Sequence, residues 1–163
     1  MIGLAAAQTT LAGEATTSAG VSQVGTHPGT ATATAAYNGD GRGHADTITR
    51  SGPVNFARGV AYGVDQNGLD FSVSYAVGGG LLPVRARTFN MSIGRDGSVS
   101  RSSGVVDASP SLITSVQAGG FARSQRGGSI SAATASGRSE PFGTVVGRTW
   151  SQSSRPPRLI TQR

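Results

Sequence analysis

The feature that most constrains this chain is a period-two alternation of small or apolar side chains with polar ones. The segment Thr30-Ala31-Thr32-Ala33-Thr34-Ala35-Ala36 alternates Thr with Ala, and Phe71-Ser72-Val73-Ser74-Tyr75-Ala76-Val77 alternates large with small side chains. A period of two places successive side chains on opposite faces of a β-strand. The chain is therefore predicted to form β-sheets whose strands are rich in small residues.

The composition indicates one β-rich domain with a thin core. Gly contributes 25 of the 163 residues, charged residues make up only 13%, and Cys is absent. A chain of this length forms one domain by default. Because the net charge of +6 is modest, the chain lacks the strong self-repulsion typical of disordered proteins, and ordered β structure is expected.

Turn signals recur between the alternating segments. Asp65-Gln66-Asn67-Gly68 and Arg95-Asp96-Gly97 each separate two such segments, and Asn-Gly favours the type I′ turn of a β-hairpin. Short strands with Gly-rich turns predict an all-β fold: an antiparallel β-sandwich, Ig-like or jelly-roll-like, with an extended N-terminal arm. A β-solenoid is the alternative, since Phe-Ala-Arg recurs at Phe56 and Phe121, with Phe89 between them.

Composition divides the chain into three parts. Residues 1–29 carry one charged side chain, Glu14, and are interpreted as an extended arm that can serve as a donor strand for a neighbour. Residues 30–151 form the predicted β-sandwich domain. Residues 152–163, in which three arginines flank two prolines, are predicted to form a loose basic tail.

The aromatic side chains fall within or beside the predicted strands. They are expected to point inward as anchors of the core, the alternative being an exposed platform that stacks on bases or sugars. The residues concerned are Phe56, Phe71, Tyr75, Phe89, Phe121, Phe142 and Trp150.

The charge balance bears on the choice of partner. The sequence pI is near 11.3, and all 14 basic residues are Arg, most of them scattered along the chain. Specific nucleic-acid recognition is therefore not expected, whereas a glycan or other polyanion remains an alternative to a plain solvated surface. No apolar run approaches the roughly 20 residues of a membrane-spanning helix, so no membrane span is expected.

One turn has the content of a cation site. Asn38-Gly39-Asp40-Gly41-Arg42 combines oxygen ligands with glycines that permit the sharp bend a hard cation needs. It resembles the D-x-N-G-D-G calcium loops of bacterial surface and cell-adhesion repeats, but has Ala36 at the first Asp and His44 at the closing carboxylate. From the residues alone a plain turn is the alternative, and no other cofactor is indicated. The calcium ligands that the resemblance implies are Asn38, Asp40 and Asp46.

Other functional motifs are few. Asn90-Met91-Ser92 matches an N-glycosylation sequon, which makes Asn90 a candidate glycosylation site. The chain has two His and two Glu residues and no Gly-x-Ser-x-Gly elbow between a strand and a helix. No catalytic residue is therefore indicated, and the chain is not expected to be an enzyme.

These observations favour a structural subunit of an extracellular filament or surface assembly, located outside the cell or at its surface. The arm, or the segment Thr30 to Ala36, would add as a β-strand to the next copy of the same chain. A head-to-tail contact of this kind does not close and therefore builds fibres. Two alternatives remain: a carbohydrate-binding or adhesive β-sandwich module assisted by calcium, and a phage or virion fibre or decoration protein.

Overall fold

The computed structural model describes residues 12–25, 27, 29–80 and 82–156. These residues form ten β-strands, and no helix that could span a membrane occurs among them. The strands are β1 (Glu14–Val24), β2 (Thr30–Asn38), β3 (Arg42–Arg50), β4 (Asn55–Val64), β5 (Gly68–Gly79), β6 (Leu82–Gly94), β7 (Val99–Ala108), β8 (Ile113–Gln125), β9 (Gly128–Glu140) and β10 (Val145–Ser154).

The strands assemble into two antiparallel sheets packed face to face, which confirms the predicted β-sandwich rather than the β-solenoid. The first sheet has the order β2-β1-β8-β9, and the second has the order β10-β7-β6-β5-β4-β3. Within the second sheet, β3 to β7 follow one another as antiparallel neighbours. The chain passes between the sheets after β2, after β7 and after β9, so neither sheet is a contiguous segment.

The N-terminal segment departs from the predicted arm. β1 lies inside the first sheet, paired with β2 on one side and with β8 on the other. Ala15, Ala19 and Val21 are buried on its inner face. The prediction that residues 1–29 stand outside the domain is therefore wrong for β1, because alanine provides sufficient burial where two sheets approach closely. Residues 1–11 lie outside the described residues.

The C-terminal boundary is also later than predicted. β10 extends to Ser154, three residues beyond the predicted end of the domain at 151, and pairs with β7 over its whole length. The first residues of the predicted tail are therefore part of the second sheet. Residues 157–163 lie outside the described residues.

The core between the sheets is made of small side chains. Its buried apolar residues, within the described ranges, are all alanine or valine, among them Ala57, Ala76, Val84, Val106 and Val116. Buried Ser, Thr and Asn side chains occupy much of the remaining space. The thin core predicted from composition is confirmed, and it is polar as well as thin.

Most of the large aromatic side chains point away from this core, Tyr37 being an exception. Along β5, Ser72 and Ser74 are fully buried, whereas Phe71 between Asp70 and Ser72 lies on the opposite, outer face. Phe89 of β6 and Trp150 of β10 also point outward, and they are 37% and 50% exposed. The prediction of inward aromatic anchors is therefore wrong, since small polar residues occupy the inner face. The outward aromatics are Phe56, Phe71, Tyr75, Phe89, Phe121 and Trp150, and Phe142 is exposed in a turn.

A side-chain carboxylate closes the hairpin between β4 and β5. Asp65 Oδ1 accepts hydrogen bonds from the backbone N–H groups of Asn67, at 2.7 Å, and Gly68, at 3.0 Å. The hairpin is as predicted, but the turn is not type I′, because Asn67 does not have a positive φ. In the turn between β6 and β7, Gly97 does adopt a positive φ of 78°.

Candidate functional site

The residues implied as calcium ligands do not converge. Asn38 ends β2 and Asp40 lies in the turn that follows, whereas Asp46 is in the middle of β3, about 13 Å along the strand from Arg42. Asp46 Oδ2 lies 3.4 Å from the guanidinium of Arg58. Among the residues that the structure describes, no three His, Cys, Asp or Glu side chains are grouped so as to hold a metal ion. Calcium binding therefore stays a prediction without geometric support.

Asn90 lies at the centre of a buried polar network. Its Nδ2 donates to the carbonyl of Ala132 at 3.0 Å and to Ser102 Oγ at 3.2 Å, and its Oδ1 accepts from Ser72 Oγ at 2.6 Å. Because a carbonyl only accepts, the bond to Ala132 determines the orientation of the amide. Asn90 is 0% exposed. The glycosylation of Asn90 stays a prediction, and this burial does not favour it, since Nδ2 is enclosed in the folded chain.

The network crosses the sandwich through Thr17 of β1. Thr17 Oγ1 lies 2.7 Å from Ser72 Oγ and 2.8 Å from Ser74 Oγ. Ser74 Oγ donates to Thr88 Oγ1 at 2.9 Å, and Thr88 donates to the carbonyl of Val73 at 3.1 Å. Buried hydroxyl groups need such partners, so these bonds set how the first sheet sits on β5 and β6.

A buried carboxylate, Asp70, lies near the β4–β5 turn. Ser124 Oγ donates to Asp70 Oδ2 at 2.7 Å, while Oδ1 has no hydrogen-bond partner within the described ranges. Burial raises the pKa of Asp70 above its ordinary value, and hydrogen bonds such as that from Ser124 offset part of this effect. Gly13 borders Asp70 and Asp65: a Cβ at Gly13 would lie 2.8 Å from Asp70 Oδ2 and 2.6 Å from Asp65 Oδ2.

The phenol of Tyr37 shares the environment of this carboxylate. Burial raises the pKa of Tyr37, and the negative charges of Asp65, Asp70 and Asp40 raise it further. The Tyr37 hydroxyl is buried and has no hydrogen-bond partner among the described residues. Tyr37 and Asp70 therefore define a corner of the core in which both groups favour their protonated forms. This makes the corner sensitive to pH.

The strand β2 forms an open edge of the first sheet. It pairs with β1 on one side, and no strand of the described chain pairs with its other side. It carries no charge and no proline, and its register with β1 runs from Thr30 to Asn38 without a bulge. Natural edge strands usually carry a charge, a proline or a bulge, because these prevent pairing with other chains. The predicted assembly segment, Thr30 to Ala36, therefore lies on an unprotected edge.

The second sheet has an apolar outer face crossed by arginines. Cross-strand register aligns its side chains in rows perpendicular to the strands. One row contains Val60, Val73, Phe89, Ser103 and Trp150, and the next contains Arg58, Tyr75, Arg87, Val105 and Arg148. Contiguous exposed apolar side chains make this face a candidate interaction surface, unlike single exposed apolar residues.

The outer face of the first sheet is different in character. A shallow depression of about 370 Å³ opens where Gly20 lacks a side chain. Ser22, Thr32, Gln117 and Arg138 are among the residues around it. Hydroxyl, amide and guanidinium groups supply about half of its lining, which is unlike the largely apolar lining of most small-molecule pockets.

Comparison of the chain with protein-family models, with curated proteins and with solved structures gave no match. The β2 edge and the outer face of the second sheet are the structural features on which the proposals below rest.

Proposed function

We propose that this chain is a structural subunit that joins copies of itself head-to-tail through strand pairing at the β2 edge. The observation that supports this function is the absence of charge, proline and bulge along β2. Unpaired N–H and C=O groups on such an edge supply affinity, and alternate side chains determine the fit. A polar composition with only 13% charged residues favours an extracellular filament or surface layer as the assembly.

The strand that would meet β2 of the next copy is β9, the opposite edge of the same sheet. Because the four strands are antiparallel, β2 and β9 run in opposite directions. A copy displaced along the sheet by translation therefore brings its β9 antiparallel to β2. Such a contact is heterologous and does not close, so it extends into a filament.

The pairing segment is β2 rather than the N-terminal arm. β1 already occupies a central position in its own sheet, where β2 and β8 satisfy both of its sides. Donation of β1 to a neighbour would require this sheet to open, whereas pairing at β2 requires no rearrangement.

A charge placed on the edge tests this function. Thr32 of β2 and Gln117 of β8 are both exposed on the outer face and lie in one cross-strand row, joined through Gly20. Thr32→Lys puts a charge at the edge, and Gln117→Lys puts the same charge two strands inside the sheet. Electron microscopy and sedimentation velocity of the full chain then report assembly.

Filaments are expected from the wild type and from Gln117→Lys, but not from Thr32→Lys. A wild-type chain that stays monomeric at every concentration would overturn the proposed function. Equal filaments from both variants would exclude β2 as the contact.

A further inference from the structure

The outer face of the second sheet carries most of the net positive charge of the chain. Seven arginines and two aspartates point from it, a net charge of +5, compared with +6 for the whole chain. Both aspartates are neutralised, Asp46 by Arg58 and Asp107 by Arg85. The arginines of this face that have no ion-pair partner among the described residues are Arg42, Arg50, Arg87, Arg101 and Arg148.

Two of these arginines stand next to exposed aromatic rings. Arg87 and Phe89 share one face of β6, and Arg148 and Trp150 share the same face of β10. Register across β7 aligns Phe89 with Trp150 and Arg87 with Arg148. A strand spacing of about 4.8 Å places the two aromatic-arginine pairs roughly 10 Å apart.

The residues of β7 that lie between the two pairs, Ser103 and Val105, have small side chains. Ser103 lies between Phe89 and Trp150 in their cross-strand row, and its small side chain leaves both rings accessible. Next to Trp150, a cavity of about 190 Å³ opens on the same face. It is lined by Val99, Arg101, Gln152 and Ser154.

We propose that this face binds an acidic polysaccharide whose chain crosses the strands. Its sugar rings lie on Phe89 and Trp150, and its acid groups bind Arg87 and Arg148. The C–H face of a sugar packs on an aromatic ring, while a guanidinium donates paired hydrogen bonds to a carboxylate or sulfate. Two aligned aromatic-arginine pairs match a ligand in which a ring and an acid group both repeat, as they do in a uronate polymer.

Other occupants match the face less well. A second copy docked face to face would oppose two surfaces of charge +5. A bilayer that received the apolar centre would also receive Arg87 on the central strand β6. Single-stranded nucleic acid favours a cationic groove that follows its backbone, whereas this face is an open sheet.

Trp150 makes the binding measurable, since it is the single tryptophan of the chain. The experiment titrates the full chain with polygalacturonate at low salt and follows the tryptophan fluorescence. Dextran serves as the neutral polymer, and oligo(dT) and anionic phosphatidylglycerol vesicles serve as the competing anions. Arg87→Gln combined with Arg148→Gln removes both cations of the pairs. Arg95→Gln combined with Arg126→Gln removes equal charge from two turns.

Polygalacturonate is expected to change the fluorescence, and dextran is not. The Arg87 and Arg148 double variant is expected to bind more weakly by roughly tenfold, while the turn variant binds like the wild type. No response to polygalacturonate, an equal loss in both double variants, or tighter binding of oligo(dT) or vesicles would overturn the proposal. Assembly at β2 does not enter this test, because β2 belongs to the other sheet and binding is followed at concentrations where the chain is monomeric.

Discussion

The ring of Tyr37 lies directly over the backbone of Gly63, where a Cβ would stand only 2.1 Å from ring carbons Cε2 and Cζ. Tyr37 belongs to β2 in the first sheet and Gly63 to β4 in the second. Gly43 of β3 contacts the same ring, since a Cβ at Gly43 would lie 1.8 Å from Cδ1. The one large side chain of this corner therefore fits because two opposing residues have no side chain.

Gly63→Ala is predicted to destabilise the fold by about 1–3 kcal/mol, because the new methyl group overlaps the Tyr37 ring and the sheets must shift. Urea unfolding followed by circular dichroism measures the change. Gly147→Ala in β10 is the matched control, since the nearest atoms to its Cβ position are 3.9 Å away. If both variants unfolded at the same denaturant concentration, the close contact of Tyr37 with Gly63 would not contribute to stability.

Asn90→Ala is predicted to lower the free energy of unfolding by about 2–4 kcal/mol, because it leaves Ser72, Ser102 and the Ala132 carbonyl without their buried partner. Chemical denaturation provides the measurement. Ser103→Ala, on the outer face of β7, is expected to change stability by less than about 0.5 kcal/mol. A loss at Asn90 no larger than that at Ser103 would show that the network contributes no stability.

Asp70→Asn is predicted to stabilise the protein at neutral pH but not at acidic pH. Burial raises the pKa of Asp70 in the folded state, so the folded chain holds this proton more tightly than the unfolded chain. The stability linked to Asp70 is thus present below its ordinary pKa and is lost as the pH rises through the raised value. The amide of the variant cannot ionise, so the variant escapes this loss.

Unfolding curves of the wild type and of Asp70→Asn, recorded from acidic to neutral pH, test this linkage. The two free energies are expected to converge at low pH and to separate as the pH rises. A difference that stays constant across the range would mean that Asp70 ionises freely in the folded chain.

The strands of the second sheet could be predicted from the sequence, because alternation and turn residues are local signals. The segment Phe71 to Val77 lies inside β5, and Gly97 occupies the predicted turn. The face that each strand buries could not be predicted in this way. Ser72 points inward because Thr17, 55 residues away in the chain, supplies its hydroxyl partner.

The position of β1 could not be predicted for a related reason. Its Ala and Thr side chains bury little area on their own, and their burial depends on β8, which lies about a hundred residues further along the chain. The aromatic-arginine pairs could not be predicted from the sequence either. Arg87 and Arg148 are scattered charges there, and only the pairing of β6, β7 and β10 aligns them.

A core of alanine, valine and hydroxyl groups has a thermal consequence. The heat capacity of unfolding rises with the apolar area that becomes exposed and falls with the polar area. Because this sandwich hides few large apolar side chains between its sheets, its heat capacity change is expected to lie below the usual value of about 12–15 cal/mol/K per residue. The curve of stability against temperature is therefore less strongly curved than usual, which displaces cold denaturation to lower temperature.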